Sequence, residues 1–303
     1  MPANKTIAII GCGAVGASCA SSIILRNVSC ELLMVDINQK VAEGQALDLS
    51  DSQFLSSTKV RVGTYQEAGQ ADIIVITAGA GQRPGETRLQ LIAKNFNILN
   101  SVITSMAPIK PTAKIMLVAN PVDVLTHIAQ KISGLPKNQV FGSGTFLDSG
   151  RLRLKLSEIL GVSEPAIHCY AMGEHGDHQF VGWSSATVGG VPLLDYPEMQ
   201  GVDLDKLQYE VSRKAYEIID RKGATYYGIG ACVASLCDTV LNDRRDIRPI
   251  SCYNEQYDSY VSMPAIVGAN GVEAPIKIQL NEAEQKKMER AVDAMKAVLA
   301  ECN

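Results

Sequence analysis

The stretch TIAIIGCGAVGASCASSIILRNVSCELLMVD, residues 6–36, decides the fold. An isoleucine-rich run at 6–10 reads as a short buried strand and passes at once into GCGAVG at 11–16. A helix-like stretch follows to about residue 26, a second apolar run at 30–35 reads as a strand, and Asp36 ends it. Strand, glycine turn, helix, strand and acid make one βαβ unit. In such a unit Gly11 permits the tight turn, Gly13 lets backbone N–H groups approach a pyrophosphate, and Gly16 lets the helix pack close to the sheet. The phosphate charge then rests on a helix N-terminus. Asp36, twenty residues after Gly16, stands where a carboxylate accepts hydrogen bonds from an adenosine ribose and repels a 2′-phosphate. A lone glycine triplet also makes an ordinary tight turn, but the strand before it, the helix after it and the acid beyond it favour a nucleotide. The unit predicts a site for NAD rather than NADP.

Outward from this unit, apolar runs at 73–77 and 115–118 read as further buried strands, with helical patterns at 41–50, 89–109 and 122–132. Strands alternating with helices imply a parallel sheet covered on both faces. After about residue 143 the pattern changes. A helix-like segment at 147–160 leads into strand patterns around 167–172, 180–188, 247–252 and 259–267, with helical patterns at 204–222, 228–241 and 282–299. The expected fold class is α/β: a Rossmann doubly wound parallel sheet over 1–145, then a mixed α+β substrate domain over 146–303. No internal repeat, low-complexity tract or Pro/Ser-rich linker separates the two.

The 303 residues are 46% hydrophobic and 20% charged, the balance of a globular protein with a substantial core. Net charge is −4 with no basic run, which argues against a nucleic-acid or anionic-membrane partner. Small-molecule chemistry is the default. The eight cysteines are scattered, with no C-x-x-C pair and no Cys/His spacing of a zinc site, so they read as reduced, buried side chains and no metal is expected. Neither a signal peptide nor an apolar run long enough to span a bilayer is visible, and the expected location is cytoplasmic.

Four other stretches carry chemistry. GAGQRPGETR, 79–88, follows a strand: it is either a solvated connection or a loop that closes over substrate and delivers a cation to a polarised carbonyl. Asn120, before Pro121, either caps the next helix or hydrogen-bonds ligands. In LDSGR, 147–151, Asp148 and Arg151 share a helix face, which gives either a local salt bridge or an orienting acid and a fork for a carboxylate. GEHGD, 173–177, surrounds His175 with glycines and acids, and a near-neutral pKa suits that imidazole to carrying a proton. His127 reads as structural. His178 reads as pointing away from His175 along a strand, and Cys12 as a small packed residue or, alternatively, a low-pKa thiol at a helix N-terminus.

The glycine fingerprint with Asp36, GQRPGETR, ANP at 119–121, LDSGR and GEHGD occur in one order over essentially the whole chain. Together they resemble the L-lactate/malate dehydrogenase family, most closely its bacterial-type L-lactate dehydrogenases. The resemblance implies hydride transfer between NADH and the 2-carbon of pyruvate while His175 donates its proton, with Asp148 orienting the imidazole. It further implies that Arg151 clamps the substrate carboxylate, that Arg88 stabilises charge on the carbonyl oxygen, and that Asn120 and Thr225 line the pocket. Gly11, Gly13, Val15, Gly16, Asp36, Tyr65, Gly79, Ala80, Asn120 and Ser143 would lie along the cofactor. Gln82 matches the position that faces the C3 substituent; a neutral side chain there favours pyruvate, whereas Arg83 shifted by one residue would favour oxaloacetate. Arg153 and His168 match the residues with which allosteric members bind fructose 1,6-bisphosphate between subunits, although isolated basic residues also decorate ordinary surfaces. The family implies a homotetramer. Malate dehydrogenase is the alternative within the family, and a catalytically silent NAD-binding protein the alternative outside it; His175, Asp148, Arg88 and Arg151 together argue against silence.

Overall fold

The computed structural model describes all but residues 1–4, 82–84, 86–87 and 302–303, and only the backbone of Arg88 and Leu89. The first half runs β1 (Thr6–Ile10), α1 (Ala14–Leu25), β2 (Glu31–Val35), α2 (Gln39–Ser50), β3 (Lys59–Val62), α3 (Tyr65–Gly69), β4 (Ile73–Ile76), α4 (Arg88–Ser105), β5 (Lys114–Leu117), α5 (Val122–Ser133) and β6 (Val140–Gly142). The second runs α6 (Phe146–Leu160), β7 (Ile167–His168), β8 (Ala171–Gly173), β9 (Gln179–Val181), β10 (Thr187–Val188), β11 (Val191–Pro192), α7 (Leu204–Lys222), α8 (Tyr227–Leu241), β12 (Asp246–Asn254), β13 (Ser259–Gly268), β14 (Gly271–Pro275) and α9 (Glu282–Glu301).

Strands β1 to β6 form a parallel sheet in the order β3-β2-β1-β4-β5-β6, which reverses direction of growth between β1 and β4. Period-two alternation splits its core. Ile7, Ile9, Leu32, Met34, Ile73 and Val75 pack on one face, whereas Ala8, Ile10, Leu33, Val35, Ile74 and Ile76 pack on the other, so at β1, β2 and β4 both faces are dry and the strands are almost continuously apolar. The first face is covered by α1 and, from the second half, by α8. Those helices approach so closely at Gly230 that a Cβ there would stand 2.6 Å from the Ser18 hydroxyl. The sheet does not stop at β6. It continues antiparallel through β12, β13, β8 and β9, with Gly142 paired to Ser251 at the junction.

The sequence patterns divide differently in the second half. Residues 167–172 form two short strands rather than one, β7 joining a small sheet with β10 and β11 while β8 joins the large one. The pattern at 180–188 is likewise broken by a tight helical turn at Trp183–Ser185. At 167–172 the break sends Ile167 and Cys169 into one core and Met172 into another, whereas at 183–185 the strand is interrupted while Val181, Trp183, Ala186 and Val188 stay in one core; periodicity registers neither break. Strand β3 (KVRV) interleaves charges and β14 (GVEAP) carries glycine, an acid and proline, while β6 and α3 are short, so none of them stands out in the sequence.

Candidate active site

The cleft at the reversal point is built largely from backbone. Gly11 has φ +97°, and a Cβ on it would lie 2.7 Å from the Ala78 nitrogen; one on Gly16 would lie 1.9 Å from the Gly11 carbonyl oxygen. The Thr77 hydroxyl locks this contact by donating to the Gly11 oxygen at 2.7 Å. Gly13 differs: nothing lies within 4 Å of its missing Cβ, and it opens α1 with no side-chain cap and no acid in the first turn. That is the arrangement in which helix N–H groups and the dipole are left for an anion. Asp36 accepts from the Cys12 backbone N–H at 2.7 Å and the Asn38 N–H at 2.8 Å, which aims its carboxylate at the cleft while leaving further lone pairs for a donor.

A cavity of about 690 Å³ spans these groups and is lined by Gly11, Gly13, Val15, Gly16, Asp36, Tyr65 and Gly79 among the residues expected from the sequence. Its shape, open glycine and acid fit a dinucleotide. The reading missed Asn97, Ile98, Ser101 and Val102, one face of α4 that completes the wall. Their helical spacing was visible, but such a stripe is indistinguishable from a core-facing one. Ala80 and Ser143 stand beside this cavity rather than on its wall. Ala80 is held at both backbone groups by the buried Asn95 amide, which accepts from its N–H at 2.7 Å and donates to its carbonyl at 3.2 Å. Ser143 is buried at the end of β6, its N–H bonded to the Leu117 carbonyl at 2.8 Å.

The second group of residues is assembled by side chains. His175 Nδ1 lies 2.7 Å from Asp148 Oδ2, and Arg151 Nη1 lies 3.0 Å from Asp148 Oδ1, so one carboxylate serves both partners. The local salt bridge and the orienting acid, alternatives in sequence, coexist on opposite oxygens. Asp148 is almost wholly buried, whereas the His175 side chain keeps 32% of its surface exposed. The His175 N–H donates to Asp123 Oδ2 at 2.8 Å, and the Ser262 hydroxyl holds the other Asp123 oxygen at 2.7 Å. Gly173, at φ +96°, lets the His175 turn pass within reach of the His178 carbonyl, where a Cβ would stand 2.8 Å away.

These contacts set the titration. Burial alone would depress the His175 pKa, but Asp148, by charge and hydrogen bond, with Asp123 behind it, outweighs burial and the opposing Arg151, and the pKa is raised. Burial pushes the Asp148 carboxyl up, yet His175 and Arg151 hold it below its usual range. Burial raises Asp123 above that range despite its hydrogen bonds.

Other expectations resolve as follows. Asn120 does not cap α5, whose first turn is preceded by Pro121 without a side-chain cap; its carbonyl instead accepts from Asn95 at 2.8 Å and its side chain is exposed. Thr225 is half-buried in the connection between α7 and α8. His178 lies in a turn, not on a strand, so alternation does not orient it. Cys12 is buried, and that burial, reinforced by Asp36, pushes its thiol up to about 12, which removes the low-pKa reading. His127 packs edge-on against Tyr260. Gln82 lies outside the described residues, as does the side chain of Arg88. Among the described residues, no cluster of three His, Cys, Asp or Glu could hold a metal ion, and no helix is long and apolar enough to cross a membrane.

A doubly wound sheet with a nucleotide cleft at its reversal point, and a His–Asp–Arg group tied to α5 of the same sheet layer through Asp123, defines an NAD-dependent dehydrogenase site. Family models agree: residues 5–142 match the lactate/malate dehydrogenase NAD binding domain, and residues 145–303 match the lactate/malate dehydrogenase alpha/beta C-terminal domain. The chain belongs to the lactate/malate dehydrogenase family. It is 47% identical over 298 residues to L-lactate dehydrogenase A of Rhizopus oryzae, covering 98% of this chain and 93% of that protein. Against the L-lactate dehydrogenase of Streptococcus equinus identity is 43%, with 98% and 94% covered. Among solved structures, the minor L-lactate dehydrogenase of Enterococcus mundtii in a ligand-bound form superposes with a TM-score of 0.94 at 37% identity, over 99% of both chains. MGS-M5, a lactate dehydrogenase from a Medee basin deep-sea metagenome library, also gives 0.94, at 34% identity over 98% of both chains.

Proposed function

We propose that this protein is an NAD-dependent L-lactate dehydrogenase that interconverts pyruvate and L-lactate, with His175 as the proton donor and acceptor. The observation that carries the reading is the Asp148 carboxylate shared between His175 and Arg151. Bound NADH supplies the hydride. Asp148 fixes the Nδ1 side of the imidazole, so Nε2 is the nitrogen left to give its proton to the substrate carbonyl oxygen and to take one back in reverse. Asp148 also stabilises the imidazolium, keeping His175 charged until it is needed. Arg151, already oriented by Asp148 Oδ1, keeps further guanidinium N–H groups for a substrate carboxylate. Arg88, which begins α4, would stabilise the charge developing on the carbonyl oxygen. Asn120 and Thr225 would complete the pocket. Residues 1–145 would act as the cofactor domain and 146–303 as the substrate domain.

Gln82 would select the substrate. A neutral amide facing the second carboxylate of oxaloacetate leaves that charge unpaired in a closed site, at a cost on the order of several kcal/mol. The decisive measurement is kcat/KM for pyruvate against oxaloacetate with NADH. Pyruvate should be strongly preferred, and Gln82→Arg should reverse the order; a wild-type preference for oxaloacetate would return the protein to the malate side of its family.

Arg153 and His168 supply the reading of fructose 1,6-bisphosphate as an effector. Burial lowers the Arg153 pKa, and Arg248 adds repulsion, a cationic environment that a phosphate would relieve; His168 is exposed on β7. Rate-versus-pyruvate curves that superimpose with and without the bisphosphate, in low-phosphate buffer, would remove this effector. A homotetramer is favoured by the family and by exposed Leu47, Phe54 and Leu55 at the end of α2 and just beyond it, and a cytoplasmic location by the seven free cysteines among the described residues. Sedimentation velocity tests the assembly.

A further inference from the structure

Asp148 and His175 stand on different elements, 27 residues apart, and their 2.7 Å contact requires the start of α6 and the strand β8 to keep a fixed spacing. Two hydroxyls bridge that gap. Thr145 Oγ donates to the Ala171 carbonyl at 2.6 Å, and Ser149 Oγ accepts from the Ala171 N–H at 2.9 Å. Both side chains are fully buried, and so is Ala171. They bracket Asp148 on the first turn of α6, three residues before it and one after, while Ala171 lies four residues before His175 on the strand that leads into its turn. Both backbone hydrogen-bonding groups of one strand residue are thus gripped by the element that carries the orienting acid.

We infer that Thr145 and Ser149 are positioning residues: their grip on Ala171 sets the distance between Asp148 and His175 and so tunes the proton-transfer step. A hydrogen bond between charged groups weakens steeply with distance and angle, and neither partner in this pair can follow the other far. Asp148 is fixed by its place in a helix and by Arg151. His175 is fixed at its backbone by Asp123. The adjustable quantity is the separation of α6 from β8, and within that contact the two hydroxyls are the polar links that hold it. Among the described residues, the charged groups that act on the imidazole are Asp148 and Arg151 from α6 and Asp123 from α5, and none of them is altered by removing either hydroxyl.

The inference rests on the proposed function, and its test separates the two. Thr145→Val keeps shape and removes one hydroxyl, Ser149→Ala removes the other, and Ser149→Thr retains an Oγ as the conservative control. Titration of the His175 imidazole by proton NMR needs no turnover. The chain has four histidines, so the signal missing from His175→Ala identifies it. The double variant T145V/S149A should titrate about half a unit to one unit lower than wild type, because a loosened Asp148 stabilises the imidazolium less. Its kcat/KM for pyruvate should fall about tenfold, with NADH affinity within twofold of wild type and S149T close to wild type. An unchanged His175 titration in a folded double variant overturns the inference, whatever its melting temperature. Absence of turnover of any 2-oxo acid by the wild type would instead sink the proposed function and leave the titration to decide the positioning role. Should the double variant fail to fold, the single variants carry the same measurement, and an unshifted titration in both is equally fatal.

Discussion

The nucleotide cleft and the His175 site are built by opposite means. The cleft is a shape made of missing side chains: Gly11 and Gly16 let backbone pass within contact distance of backbone, and Gly13 leaves an open approach. The His175 site is made of side chains present, with one carboxylate holding an imidazole and a guanidinium and another holding the backbone beneath them. A site made by absence fails when anything is added, whereas a site made by presence fails when a charge is taken away.

That contrast can be broken most sharply at His175. Replacing it with alanine removes the proposed proton carrier and should lower kcat for pyruvate by about 10²- to 10⁴-fold, while NADH affinity by fluorescence titration stays near wild type. Loss of cofactor binding in that variant would mean the two regions are not independent. The converse test is Gly16→Ala, whose methyl group would meet the Gly11 carbonyl at 1.9 Å. NADH affinity should fall at least tenfold with a lowered melting temperature, because backbone must move to admit the methyl group. Retained affinity would show the turn to be more yielding than its contacts imply.

A smaller effect sharpens the electrostatic side. With protonated His175 as the proposed proton donor and its pKa raised, the rate of pyruvate reduction should hold through the ordinary histidine range near pH 6.5 and fall as pH passes the raised value. Lactate oxidation should rise across the same window. Asp148→Asn should move both limbs toward acid. Stability follows the same signs: the raised His175 stabilises the fold below the unfolded value and loses that contribution as pH rises through the folded one. The depressed Asp148 contributes above about pH 3.9 and loses its share as pH falls through its folded value.

The two regions also differed in how far the sequence disclosed them. Gly11, Gly13, Gly16 and Asp36 fall within one βαβ unit, so their meeting follows from local geometry. His175 and Asp148 were legible as chemistry because glycines and acids of that pattern resembled a known family, but their separation in sequence gives no distance. Asp123 was missed: as an acid in the first turn of a helix after Pro121, it looks like an ordinary partner for the helix dipole. Its function is written 52 and 139 residues later, at His175 and Ser262. The α4 face along the cleft was hidden differently, as a helical stripe that could equally have been core. The broken strands near residues 167–188 were lost because short strands at bends leave no sustained period.

Asp123 also ties the two halves of the chain to one another. It lies in the first half, yet these two groups that donate to its buried carboxylate belong to the second. A nascent chain that had made α5 but not β8 or β13 would have to keep this side chain in water or carry it neutral, since an unpaired charge is expensive to bury. Only with the His175 N–H and the Ser262 hydroxyl in place are both oxygens of this carboxylate hydrogen-bonded, so the turn that carries His175 is seated on the first half through a group that residues of the second must complete.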